Sequence, residues 1–243
     1  MFSFVGNMIN QTVNAACDVK NKMGEAIGAG LGLPYTANLN NSQLLKMLAV
    51  CAEEVYFLNK SDGNLENYGL SLIDYQKEDM GTTSDIQWGL YKINSTGNLI
   101  FAIRGTDSIK TGIQDFDLFT GISPYIRSVI QIACNTARNK NANYICGHSL
   151  GGLIAEATCS WTGIGGASFN APGPWASTSI NNLAEGNNYN GVPFEVHLTK
   201  NDGISYFGSA GGPSSSHIGK PIWHDHNGGH SMKAIREDIE RNY

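Results

Sequence analysis

Charged side chains are scarce in this sequence. Asp, Glu, Lys and Arg make up 15% of the 243 residues, where an average soluble domain has about a quarter. Asn, Ser and Gly supply the polarity instead. With 41% apolar residues, this is not the composition of a disordered chain, which combines high charge with few apolar groups. Basic residues are scarcer still, 16 against 21 acidic, and the net charge of -5 argues against nucleic acid as the main partner. Long apolar runs are missing, and none approaches the roughly 18 residues that span a membrane. Cysteine is limited to Cys17, Cys51, Cys134, Cys146 and Cys159. The count is odd, with no C-x-x-C and no Cys/His metal spacing. Each falls in a stretch that reads as helix or strand, so small buried hydrophobes are expected, with one disulfide left open. No Lys or Arg precedes Lys20, and Asn7, Asn10, Gln11 and Asn14 break the apolar start. No cleavable signal peptide is visible, which leaves a cytoplasmic chain or one exported by a non-classical route.

The length suits one α/β domain with a core that needs neither disulfide nor metal. Residues 5–27 carry apolar side chains at helical spacing, and the Gly-rich stretch 28–33 before Pro34 ends that helix. A second helix starts near Asn41, with Ser42 as the expected N-cap. Strand-like runs follow at 68–75, 86–93 and 99–103, the last two joined by a Ser95-Thr96-Gly97-Asn98 hairpin turn. Beyond a mixed segment at 108–122, helices and strands alternate: helix 123–138, strand 144–146, helix 150–161, strand 166–169, helix 176–185, strand 194–198, a short strand at 221–223 and helix 231–241. That alternation predicts a mostly parallel sheet covered on both faces. The expected organisation is residues 1–34 as an amphipathic helix with its Gly-rich turn, then 35–243 as one α/β domain.

Gly147-His148-Ser149-Leu150-Gly151 fits G-x-S-x-G. In a chain with 29 Gly the pattern alone proves little. Its setting adds weight: an apolar strand precedes it and a helix begins at Leu150, so Ser149 sits on a tight strand-to-helix turn. Such a turn crowds the backbone, and glycines on both sides relieve it. The hydroxyl is then at a helix N-terminus, where free N–H groups favour the negative charge that develops in acyl transfer.

A nucleophilic Ser needs a base and an acid to orient it, in the chain order Ser, Asp or Glu, His. Asp202 directly follows a strand, where α/β sites are built, and is preferred over Asp225. Glu156, Glu185 and Glu195 are less well placed, in or at the ends of regular elements. His230, after Gly228-Gly229 and before the last helix with Ser231 as its cap, is the preferred base, with His217 second. His148, inside the turn, is expected to shape it. His224 and His226 alternate around Asp225, but without Cys or a second carboxylate at ligand spacing no metal is expected, and no cofactor. The oxyanion donors are expected at the Leu150 N–H and at Thr106, in the Ile103-Arg104-Gly105-Thr106 turn after a strand.

Five segments in order resemble the class 3 lipase family: Phe101 to Asp107, similar to the F-R-G-[ST] oxyanion segment; Gly147 to Gly152, similar to the nucleophile turn; Ser168 to Gly173; Asn201-Asp202; and His230-Ser231-Met232. The resemblance covers roughly 45–240. Two departures stand out: Gly203 replaces the family's Pro after the Asp, and the V-H-x-G-F stretch is absent. The resemblance implies an α/β-hydrolase fold over 35–243, a Ser149–Asp202–His230 triad and a lipid ester substrate, triacylglycerol or phospholipid, met at a lipid–water interface. Residues 108–122, with Ile109, Ile113, Phe116, Leu118, Phe119 and Ile122, are the lid candidate. Two other readings stand beside a lipid hydrolase. One is an antibacterial effector neutralised by an immunity protein; the other is a hydrolase fold that only binds. Oligomeric state is not legible.

Overall fold

The computed structural model describes residues 41–58, 65–76, 86–105, 123–174, 192–206 and 217–243, all within one compact unit, Leu39–Tyr243. The expected helices at 5–27 and 176–185, the lid candidate at 108–122, Thr106, Glu185 and Cys17 lie outside the described residues.

Seven strands form one sheet in consecutive order. They are β1 (Leu70–Gln76), β2 (Trp88–Ile93), β3 (Leu99–Ile103), β4 (Tyr144–His148), β5 (Gly165–Phe169), β6 (Phe194–Thr199) and β7 (Ile222–His224). β1, β2 and β3 are antiparallel neighbours, and β3 to β7 run parallel. The hairpin between β2 and β3 closes through Gly97, whose φ of 78° suits glycine.

Side chains of β3 alternate across the sheet with the period of two that a strand imposes. Phe101 and Ile103 face a core built with α2 (Ser123–Asn139) and α3 (Leu150–Thr162). Ile100 and Ala102 face a second core built with α1 (Asn41–Glu54) and α4 (Met232–Asn242). The continuous apolar run Leu99–Ile103 is thus a strand buried on both faces. α2 and α3 leave from adjacent parallel strands and share one face, as successive crossovers of one hand require. With the tight strand-to-helix turn at Ser149 between β4 and α3, the architecture is that of an α/β-hydrolase.

On the other face α1 and α4 pack together through Leu45, Leu48, Val55, Met232, Ile235 and Ile239. Arg236 fastens the pair, bonding Glu53 on α1 and Glu240 at 2.6 Å on its own helix. Ser42 differs from its expected role: it lies inside α1, and its hydroxyl donates to the main-chain oxygen of Tyr243. A long-range partner has replaced the local cap. Ser231 does cap α4, accepting the Ala234 N–H.

At the β7 edge, four ionisable groups are bonded in a chain. Glu195 Oε2 meets His197 Nε2 at 3.0 Å, His197 Nδ1 meets His224 Nε2 at 2.9 Å, and His224 Nδ1 meets Asp238 Oδ2 at 2.7 Å. His226 Nε2 bonds the Thr199 hydroxyl. Among the described residues no group of three or more His, Cys, Asp or Glu is arranged to hold a metal ion. Cys51, Cys134, Cys146 and Cys159 are buried. No helix among the described residues is long and apolar enough to cross a membrane.

Candidate active site

The site starts from the crowding of the turn between β4 and α3. A Cβ on Gly147 would run into the Gly151 carbonyl, and one on Gly151 into the Ile103 carbonyl. Both obstacles are backbone, so only glycine fits at either position, and this is why G-x-S-x-G has its spacing. Ser149 between them takes φ 59° and ψ −128°, a conformation that costs about 1–3 kcal/mol outside glycine. The turn is held from below by the Ser149 N–H on the Phe169 carbonyl at 3.0 Å. Leu150 is the first residue of α3, so its N–H has no partner within the helix and lies at the end of the helix dipole that favours negative charge.

Asp202 follows β6 by one short turn and is 2% exposed. Its Oδ1 accepts the Ile204 N–H at 3.0 Å; its Oδ2 accepts the Ser205 hydroxyl at 2.7 Å and meets His230 Nδ1 at 2.9 Å. Burial opposes a charge here. The hydrogen bonds from His230, Ser205 and Ile204 outweigh it and hold the carboxyl below its ordinary value. Asp202 is therefore a carboxylate at neutral pH. A carboxylate only accepts, so His230 Nδ1 carries the proton and Nε2 presents its lone pair.

His230 reaches this position on the loop before α4, tied by Asn170. That Asn ends β5 with φ 46°. Its side chain accepts the Thr199 N–H at 2.8 Å and donates to the Gly229 carbonyl at 3.3 Å. Nothing in the local sequence signalled that role beyond an Asn tolerating left-handed backbone.

Ser149 Oγ and His230 Nε2 are both buried, and neither has a hydrogen-bond partner among the described residues. Two lone buried polar atoms in one site are unusual. The Ser–His bond that the sequence leads one to expect is not made in this state. Such bonds often close only when substrate arrives.

The competing candidates are occupied elsewhere. His217 Nδ1 sits 2.9 and 3.0 Å from the two carboxylate oxygens of Glu156, both side chains being fully buried. Glu156 also accepts from Ser168 and from the Ile218 N–H. His217 thus serves α3, away from Asp202. Asp225 is exposed and pairs with Lys200 at 2.8 Å.

His148 bonds the Tyr56 hydroxyl through Nδ1 at 3.0 Å and the His230 carbonyl through Nε2 at 2.8 Å. Burial, aided by His230 beside it, pushes its pKa down to about 3. Its ordinary value is 6.5. Below that pH the unfolded chain takes up a proton that the folded chain refuses. Stability should fall as pH drops from 6.5 toward 3, by up to about 1.4 kcal/mol per unit from this group. Urea titrations at pH 7.5, 6.0 and 5.0 should show the loss, and His148→Gln should flatten it. Parallel profiles for the two proteins would contradict the assignment.

Solved structures similar to this chain include fungal lipases. A lipase from Rhizopus microsporus var. chinensis shares 13% identity, covering 79% of this chain and 78% of its own, with a TM-score of 0.47. The Rhizomucor miehei lipase propeptide complex shares 14%, covering 74% and 67%, with a TM-score of 0.46. A triacylglycerol lipase from Penicillium expansum shares 12%, covering 77% and 80%, with a TM-score of 0.44. No protein-family model and no curated protein matches the sequence.

Proposed function

We propose that the chain is a serine carboxylester hydrolase acting on lipid esters, triacylglycerol or phospholipid. The observation that carries the chemistry is the Asp202–His230 bond, with His230 bonded through its carbonyl to His148, the residue before Ser149 on the strand-to-helix turn. Ser149 Oγ attacks the ester carbonyl while His230 Nε2 takes its proton. Asp202 holds the imidazole and stabilises the imidazolium that forms. The oxyanion is held by the Leu150 N–H and by Thr106. Collapse to the acyl-enzyme releases the alcohol, which takes the proton back from His230. Water activated by the same His230 then frees the fatty acid. The lipid choice rests on the five-segment motif resemblance and on the apolar residues of 108–122.

A fluorophosphonate reagent should attach once per chain, at Ser149, as located by peptide mass spectrometry. In a panel of triacylglycerol emulsion, phosphatidylcholine vesicles and a short-chain nitrophenyl ester, one of the two lipids should be the better substrate. Labelling elsewhere, or none, would remove the catalytic reading. Turnover of the short ester alone would remove the lipid one.

A further inference from the structure

Tyr56 stands just past α1, in a short 3-10 turn, far in sequence from every motif. Its hydroxyl lies between two parts of the site. It accepts the Gly105 N–H at 3.1 Å and lies 3.0 Å from His148 Nδ1. His148 Nε2 lies 2.8 Å from the His230 carbonyl.

The direction of every bond in this chain follows from its two ends. The His230 carbonyl can only accept, so His148 Nε2 carries a hydrogen and donates it. His148 is neutral, with its pKa near 3, so Nδ1 is bare and must accept. Tyr56 therefore donates to Nδ1, and its remaining lone pair takes the Gly105 N–H. All donors point one way: Gly105 N–H to Tyr56, Tyr56 O–H to His148, His148 N–H to the His230 carbonyl. The Tyr56 ring is fixed as well. The Arg104 guanidinium lies over it at 5.3 Å, and Gln87 holds Arg104 at 2.6 Å.

We propose that Tyr56 and His148 are positioning residues that couple the oxyanion turn to the catalytic base; the catalytic half rests on the hydrolase reading above. Gly105 directly precedes Thr106 in the chain, and its N–H is fixed by the bond to Tyr56. A Cβ on Gly105 would strike the Tyr56 hydroxyl and the His148 carbonyl, so the approach is close. At the far end the bond to the His230 carbonyl fixes the backbone from which the base projects. The His148 and His230 rings are 4.7 Å apart. An uncharged His148 leaves His230 free to become the one cation in the site as Ser149 is acylated. Tyr56 and His148 act by keeping donor and base in one frame, where a misplacement of about 1 Å costs on the order of a hundredfold in rate.

Three variants separate the links. Tyr56→Phe removes the hydroxyl's bonds to Gly105 and His148. His148→Asn keeps an acceptor for Tyr56 and loses the reach to His230. His148→Gln keeps the reach and loses the acceptor. The Gly105 amide should exchange with deuterium at least about tenfold faster in Tyr56→Phe and stay protected in His148→Asn. On the short ester, kcat should fall about tenfold to a hundredfold in Tyr56→Phe and His148→Asn with KM within about twofold, and His148→Gln should recover part of it. Wild-type kcat in Tyr56→Phe, or a KM rise matching the loss, would overturn the coupling. So would a melting-temperature collapse in both Tyr56→Phe and His148→Asn that accounts for the activity. An unprotected Gly105 amide in the wild type would overturn the wiring without any substrate. Absence of fluorophosphonate labelling in the wild type would remove the hydrolase reading and the catalytic half with it, while the exchange result still decides the wiring.

Discussion

Ser149→Ala should lower kcat on any ester by about a millionfold and leave the protein as stable as before or slightly more so. The rate follows from the chemistry: without Oγ there is no acyl-enzyme, and only the oxyanion donors and substrate binding remain. The stability follows from burial. Ser149 is 1% exposed and its hydroxyl has no partner among the described residues. Burying an unpaired hydroxyl is unfavourable by about 1–3 kcal/mol. Alanine removes that penalty, and its Cβ occupies the space that Ser149 Cβ already fills. The strained backbone at φ 59° is the same for both residues. Activity lost with an unchanged or raised melting temperature is the signature of a site kept at the expense of stability. Activity that survives would show that Ser149 is not the nucleophile, and a falling melting temperature would show that its buried hydroxyl does not weigh on stability.

Asp202→Asn should cost about 10⁴ in kcat with little change in KM, although the substitution alters one atom. The Ile204 N–H, 3.0 Å from Oδ1, needs an oxygen opposite it. Asparagine satisfies it by placing its carbonyl there, and the NH₂ then faces Ser205 and His230. His230 Nδ1 must now accept, so the imidazole hydrogen moves to Nε2. A protonated Nε2 cannot take the hydrogen of Ser149. Flipping the amide would restore His230 but set two N–H groups against each other at Ile204, inside a buried turn. Rates on a soluble ester, with the tautomer read from the nitrogen resonances of His230, test both parts. A loss under about tenfold would mean that Asp202 is a structural anchor and no more.

Much of the frame was legible because local physics determines it. Leu99–Ile103 is apolar at every position, which a five-residue strand buried on both faces requires. The glycines at 147 and 151 mark a turn where backbone meets backbone. Asp202 and His230 could be paired from strand-end placement and chain order, and the two are in fact bonded. Tyr56 could not be found this way: its partners lie 49 and 92 residues along the chain. Glu156, less well placed for the triad because it lies in a regular element, is the centre of a second buried cluster around His217. Such contacts are products of tertiary packing, and no periodicity records them. Ser42 shows the reverse case, a residue suited to a local cap that the C-terminus has claimed instead.

The chain of Glu195, His197, His224 and Asp238 has a consequence for how the last helix is held. Its three links need three hydrogens, but two neutral imidazoles supply only two. One link is therefore sacrificial whenever no extra proton is present. Exposure chooses which. The Asp238 side chain is 12% exposed and the Glu195 side chain 39%, so water can replace His197 at Glu195 far more readily than at the inner bonds. Burial also holds His224 below its ordinary pKa. The hydrogens then point inward, His197 to His224 and His224 to Asp238, so that α4 is moored to the sheet edge by bonds of one fixed polarity.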